Sequence, residues 1–97
     1  MIVVIARYSV AAGKRDEYLQ AVANTGIFEK SRAEQGCISY EFLGSWEKPD
    51  EVVAVERWAN SDVLDAHGKL PHFAQLLEIK KQFGATPTVL QRYEVNE

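Results

Sequence analysis

The sequence predicts an α+β fold in the order β-α-β-β-α-β, and three observations predict it. Four strand-length segments are rich in β-branched and aromatic residues, at 2–10, 37–46, 51–58 and 86–95. Two longer segments between them carry apolar residues at helical spacing. The middle two strands are separated only by Glu47-Lys48-Pro49-Asp50, a turn at hairpin distance. This is the ferredoxin-like pattern, an antiparallel sheet with helices on one face.

Ile2 to Val10 opens as a strand that is apolar at consecutive positions, so both its faces are expected to be covered. Ala11-Ala12-Gly13 turns the chain into a helix running to about Glu34. Tyr18, Leu19, Val22 and Ala23 mark one face of that helix, and Gly26 predicts a bend inside it. Gly36 is placed as the residue that ends the helix. In the second strand, alternation sends Cys37, Ser39, Glu41 and Leu43 one way and Ile38, Tyr40, Phe42 and Gly44 the other. The third strand, Glu51 to Trp58, feeds a short helix for which Ser61 is the expected N-cap. That helix carries His67 on its apolar stripe. After a break at Gly68 to Pro71, a second helix runs to Phe83 with Phe73, Leu76, Leu77, Lys80 and Phe83 on one face, the Lys80 stem serving as cover. Gly84 stops it, and the last strand follows. Because Ile2 to Ile5 and Val52 to Val55 are apolar on both sides, one layer of helices cannot cover the sheet. A homodimer closing sheet on sheet into a barrel is the expected solution.

A chain of 97 residues with 46% hydrophobic and 26% charged residues fits one globular domain spanning 1–97. A net charge of -3, without any run of Lys and Arg, argues against nucleic acid as a partner. No apolar run reaches the length of a membrane span, so no membrane partner is expected. Met1-Ile2-Val3 lacks the basic start of a signal peptide, and the single Cys37 fits a reducing cytoplasm.

The segment Ser31-Arg32-Ala33-Glu34-Gln35-Gly36-Cys37-Ile38-Ser39-Tyr40-Glu41 resembles the Ser-Arg-x-Glu-x-Gly-Cys-x-x-Tyr-Glu signature of the antibiotic biosynthesis monooxygenase (ABM) domain. Glu56 with Trp58, Ala66-His67 and Pro71-His72-Phe73 resemble further elements of that family in order and spacing, and Ala12-Gly13-Lys14 fits its first turn. The resemblance spans essentially the whole chain and implies a dimeric α+β barrel. It implies one of several activities. Some members oxidise polycyclic phenols or quinols with O₂ and no metal, flavin or haem. Others degrade haem, and others process small signalling molecules without oxidising them. Haem-degrading relatives carry an Asn in the first strand and a Trp near the position of His67. Ala6-Arg7 and His67 stand there in this chain, which argues against haem.

His67 is the foremost catalytic candidate, since a neutral imidazole accepts a proton from a phenol or carbon acid near neutral pH. The alternative is a core histidine bonded to a carbonyl or to Glu56. Trp58 is a candidate for stacking on a flat substrate, or else a core aromatic. Glu56 shares its strand face and is a candidate to orient His67. An ion pair with a neighbouring Arg is the structural alternative. His72, Tyr40 and Phe73 are candidate substrate-binding residues. His67 and His72 lie five apart across a Gly-Pro break, unlike the helical pair of a zinc protease, so no metal site is expected. No dinucleotide, P-loop or nucleophile-elbow motif calls for an organic cofactor. The expectation is a cofactor-independent monooxygenase using O₂ as co-substrate on a small quinol, phenolic or other cyclic oxygenated metabolite. A non-oxidative isomerase or signal-processing enzyme, and a non-catalytic ligand-binding dimer, are the alternatives.

Overall fold

A computed structural model describes residues 1–96. Four strands form one antiparallel sheet in the order β2-β3-β1-β4: β1 (Ile2–Ser9), β2 (Cys37–Gly44), β3 (Glu51–Trp58) and β4 (Val89–Glu94). Four helices connect them: α1 (Arg15–Asn24), α2 (Ile27–Arg32), α3 (Ser61–His67) and α4 (Pro71–Gln82). The predicted ferredoxin-like topology is therefore the observed one.

Strand register decides which side chains meet. Ile2, Val4, Ala6 and Tyr8 stand opposite Trp58, Glu56, Ala54 and Val52, so these eight side chains share the helix-facing side. They build two adjoining core clusters. One gathers Tyr8, Tyr18, Val22, Ile27, Val52, Leu76 and Ile79 under α1, α2 and α4. The other gathers Ile2, Val4, Tyr40 and Trp58 beside α3.

Several local expectations are corrected. The first helix does not bend at Gly26 but breaks there, because Gly26 adopts a left-handed φ of 77° that ends α1 and opens α2. α2 stops at Arg32, so Gly36 does not cap it. Gly36 instead sits at φ 86° in the turn before β2, where an added Cβ would lie 2.8 Å from Val63. Asn60, one residue earlier than expected, caps α3: its Oδ1 accepts the Val63 N–H at 3.1 Å. A bulge between Cys37 and Ser39 shifts parity, so Cys37 pairs with Trp58 on the helix side and Ile38 is 55% exposed. The last strand begins at Val89 rather than Thr86.

The face turned away from the helices carries Val3, Ile5, Val53 and Val55 on the two central strands. Leu43, Val89 and Tyr93 flank them and are exposed by 48%, 65% and 47%. No helix among the described residues is long and apolar enough to cross a membrane.

Candidate active site

The site forms where α3 ends and α4 begins, above the Val4–Glu56–Tyr40 rung of the sheet. His67 is the last residue of α3 and its side chain is 3% exposed. Its ring is boxed by Trp58 at 4.7 Å between ring centres, Phe73 at 5.2 Å and Tyr40 at 5.5 Å. Pro71 starts α4 with the φ it already prefers and carries His72 in behind it.

Glu34, in the turn between α2 and β2, joins the two histidines. Its Oε2 accepts from His67 Nδ1 at 2.7 Å and from His72 Nε2 at 2.7 Å. The Glu34 and His72 side chains are each 11% exposed. An ionised carboxylate only accepts hydrogen bonds, so both imidazoles turn an N–H toward it. A neutral His67 held this way keeps its lone pair on Nε2. That atom is buried and, among the described residues, has no hydrogen-bond partner. Buried polar atoms are nearly always paired, which makes this one a candidate acceptor for a ligand proton.

Glu56 does not orient His67. Its Oε1 accepts from Trp58 Nε1 at 3.0 Å, an i, i+2 pair on one strand face. Burial pushes the Glu56 carboxyl above its ordinary value, while the Trp58 hydrogen bond and the nearby His67 pull the other way. With a raised folded-state value, the stability tied to the neutral form is present below the unfolded pKa and lost as pH rises through the folded one. Glu56→Gln, which keeps an acceptor for Trp58, is therefore expected to melt higher than the wild type near neutral pH. The two proteins should converge below pH 4.5, the ordinary carboxyl value. Thermal melts across that range check this, and a constant difference at every pH would contradict it.

Two cavities meet at this point. One, of about 180 Å³, is lined by Val4, Glu56, Leu64, His67, Gly68, Phe73, Leu90 and Arg92. The other, of about 260 Å³, runs between α4 and the sheet, with Ala6, Tyr8, Tyr40, Phe42, Leu76, Lys80 and Thr88 in its walls. Glu56, Phe73 and Leu90 belong to both, so the two form one groove. A larger depression of about 530 Å³ at the Met1–Asn60 end of the sheet contains no buried ionisable group. The groove holding His67 and Glu56 is accordingly the chemical candidate.

The predicted residues thus divide. His67, Glu56, Tyr40 and Phe73 line the groove. Trp58 is 0% exposed and lies behind Glu56 and His67, in neither cavity wall. His72 lies behind Glu34. Glu34 was visible in the sequence only as part of a family signature, since nothing in its local pattern places it against α3. Lys80 read as a cover for the apolar face. The spacing of His67 and His72 is unlike that of a zinc-protease pair, yet Glu34 brings them together: donor atoms of Glu34, His67 and His72 lie within 4.8 Å of one another. Two imidazoles and a carboxylate are a donor set that takes divalent metals, at the expense of both shared protons.

The fold is a ferredoxin-like α+β domain with a Glu34–His67–His72 cluster beside an apolar groove. The chain belongs to the antibiotic biosynthesis monooxygenase family, whose profile matches residues 1–78. It is similar to an uncharacterized protein of Synechocystis, sll1783, with 33% identity over 96 residues, covering 99% of this chain and 64% of that protein. The chain thus spans less than two thirds of that relative's length. It is 27% identical over its full length to all of the Bacillus subtilis protein named "Putative monooxygenase YcnE". The crystal structure of a Deinococcus radiodurans protein named "putative antibiotic biosynthesis monooxygenase", at 24% identity, shares the fold with a TM-score of 0.88 over 100% of this chain and 94% of that one.

Proposed function

We propose that this protein is a cofactor-independent monooxygenase of quinols or related cyclic phenols. The observation that carries the reading is the buried, unpartnered Nε2 of His67, a residue that lines the apolar groove, with Nδ1 held by Glu34. Family membership and the likeness to YcnE point the same way. His67 Nε2 takes a hydroxyl proton from the substrate, and the resulting anion is electron-rich enough to reduce O₂. In the balanced reaction a ring CH₂, reached by tautomerisation, becomes C=O. One oxygen atom enters that carbonyl and the other leaves as water. The substrate carbon supplies all four electrons. Tyr40, Phe73 and Leu90 give the anion apolar walls.

Oxygen-electrode assays with a panel of two- and three-ring quinols test this. Oxygen consumption stoichiometric with product, retained after treatment with a chelator, is the expected result. Loss of turnover on chelation would move the chemistry to a metal held by Glu34, His67 and His72. A second reading has its own support: Glu56 and His67 line one cavity, so two proton carriers face the same ligand. That arrangement suits a non-oxidative isomerase, which turnover under argon would identify.

The apolar face of Val3, Ile5, Val53 and Val55 supports a homodimer formed sheet to sheet. Light scattering is expected to return twice the chain mass at micromolar concentration, and Val55→Glu to return the monomer mass.

A further inference from the structure

The far end of the groove, away from His67, carries one half-buried cation set over an aromatic ring. Lys80 is half-buried on α4 and is one of the residues lining the larger of the groove's two cavities. The ammonium donates to Thr88 Oγ1 at 2.6 Å and sits 4.1 Å from the centre of the Tyr8 ring. Lys14 and Lys48 each reach a carboxylate, but among the described residues no carboxylate lies within ion-pairing distance of Lys80. The Tyr8 hydroxyl is already taken by Tyr18 at 2.6 Å. Burial lowers the Lys80 pKa, the sign of a charge short of solvation. The arrangement holds the ammonium in place by a hydroxyl and an aromatic face while leaving its charge uncompensated.

We propose that Lys80 and Thr88 form an anion-binding subsite that takes a carboxylate, or an equivalent anionic oxygen, on a flat aromatic ligand lying along the groove toward His67. This deepens the reading of the groove as the substrate site and rests on it. Thr88, accepting from Lys80, has its own O–H free to donate to the same anion. The subsite sets ligand length as well as charge. Tyr8, under Lys80, and Val4, beside His67, lie four residues apart on β1, which at strand rise is roughly 13 Å. Subtracting a hydrogen bond at each end leaves room for a body of two or three fused rings. The substrate class is accordingly an aromatic acid bearing a ring hydroxyl at the end remote from its acidic group. A neutral quinol fills the same groove without the anchor.

Calorimetric titration of the purified protein with 2-naphthoate and its neutral isostere 2-naphthamide tests the subsite without requiring turnover. The naphthoate is expected to bind about tenfold to a hundredfold more tightly, the worth of one charge-assisted hydrogen bond. Lys80→Met should abolish that preference by weakening the naphthoate alone. Lys80→Arg should keep most of it, and Lys81→Met, a neighbouring exposed lysine, should change neither ligand. His67→Ala should leave the preference intact, so failure of the base and failure of the subsite are separate results. Equal binding of the two ligands by the wild type, or binding of neither, would overturn the proposal. So would an equal weakening of both by Lys80→Met, which would make Lys80 a latch between α4 and Thr88.

Discussion

Replacing His67 with alanine is expected to lower kcat by roughly 10²–10⁴-fold, the usual contribution of a positioned general base. KM should change far less, because Tyr40, Phe73 and Leu90 form the apolar walls without it. The argument rests on the two ring nitrogens having different tasks. Nδ1 is bound to Glu34 at 2.7 Å, and Nε2 is buried without a partner. Glu34→Gln should fall between the wild type and His67→Ala, since an amide still positions the ring but no longer stabilises the imidazolium that forms. The alanine variant leaves a hole between Trp58, Phe73 and Tyr40, and added imidazole is expected to restore part of the rate through it. Steady-state kinetics with and without imidazole, on protein shown by circular dichroism to be folded, make the measurement. An unchanged kcat would remove His67 from the chemistry.

The fold was legible because its signals are periodic and repeated. Val52, Ala54, Glu56 and Trp58 alternate with Val53, Val55 and Arg57, and the register confirms both faces. What periodicity does not encode is which loop residue approaches a helix end. Glu34 meets His67 across 33 residues of sequence and His72 across 38. No local pattern distinguishes it from Glu29 or Glu41, whereas Glu56, sharing a strand face with Trp58 on the strand that feeds α3, is the carboxylate the alternation points toward His67. The parity break at Cys37 was hidden for a related reason. A bulge is a property of two strands in register, and Ser39 pairs with Arg57 only once Cys37 has paired with Trp58. Lys80 shows the reverse limit: its position on the apolar face of α4 was read correctly, but the absence of a counter-charge is a three-dimensional fact.

Trp58→Ala is expected to cost roughly 3–5 kcal/mol of stability, typical for truncating a buried aromatic, against a total of only about 5–15 kcal/mol for a domain. The side chain is fully buried, stands opposite both Ile2 and Cys37, and packs on His67 and Tyr40. It also has a polar task. Its Nε1–H donates to the buried carboxyl of Glu56 at 3.0 Å. Trp58→Phe separates the two tasks: it keeps most of the packing but leaves a buried carboxylate short of a donor, a loss of about 1–3 kcal/mol. Combining Trp58→Phe with Glu56→Leu removes the orphaned acceptor, so the double variant should be more stable than the sum of the single changes implies. Urea unfolding of the four proteins in this cycle measures the coupling. Coupling near zero, with Trp58→Phe raising KM instead of lowering stability, would return Trp58 to the groove wall as a stacking surface for substrate. A coupling of the expected sign fixes it as the wedge that holds Glu56 and His67 at the spacing the groove requires.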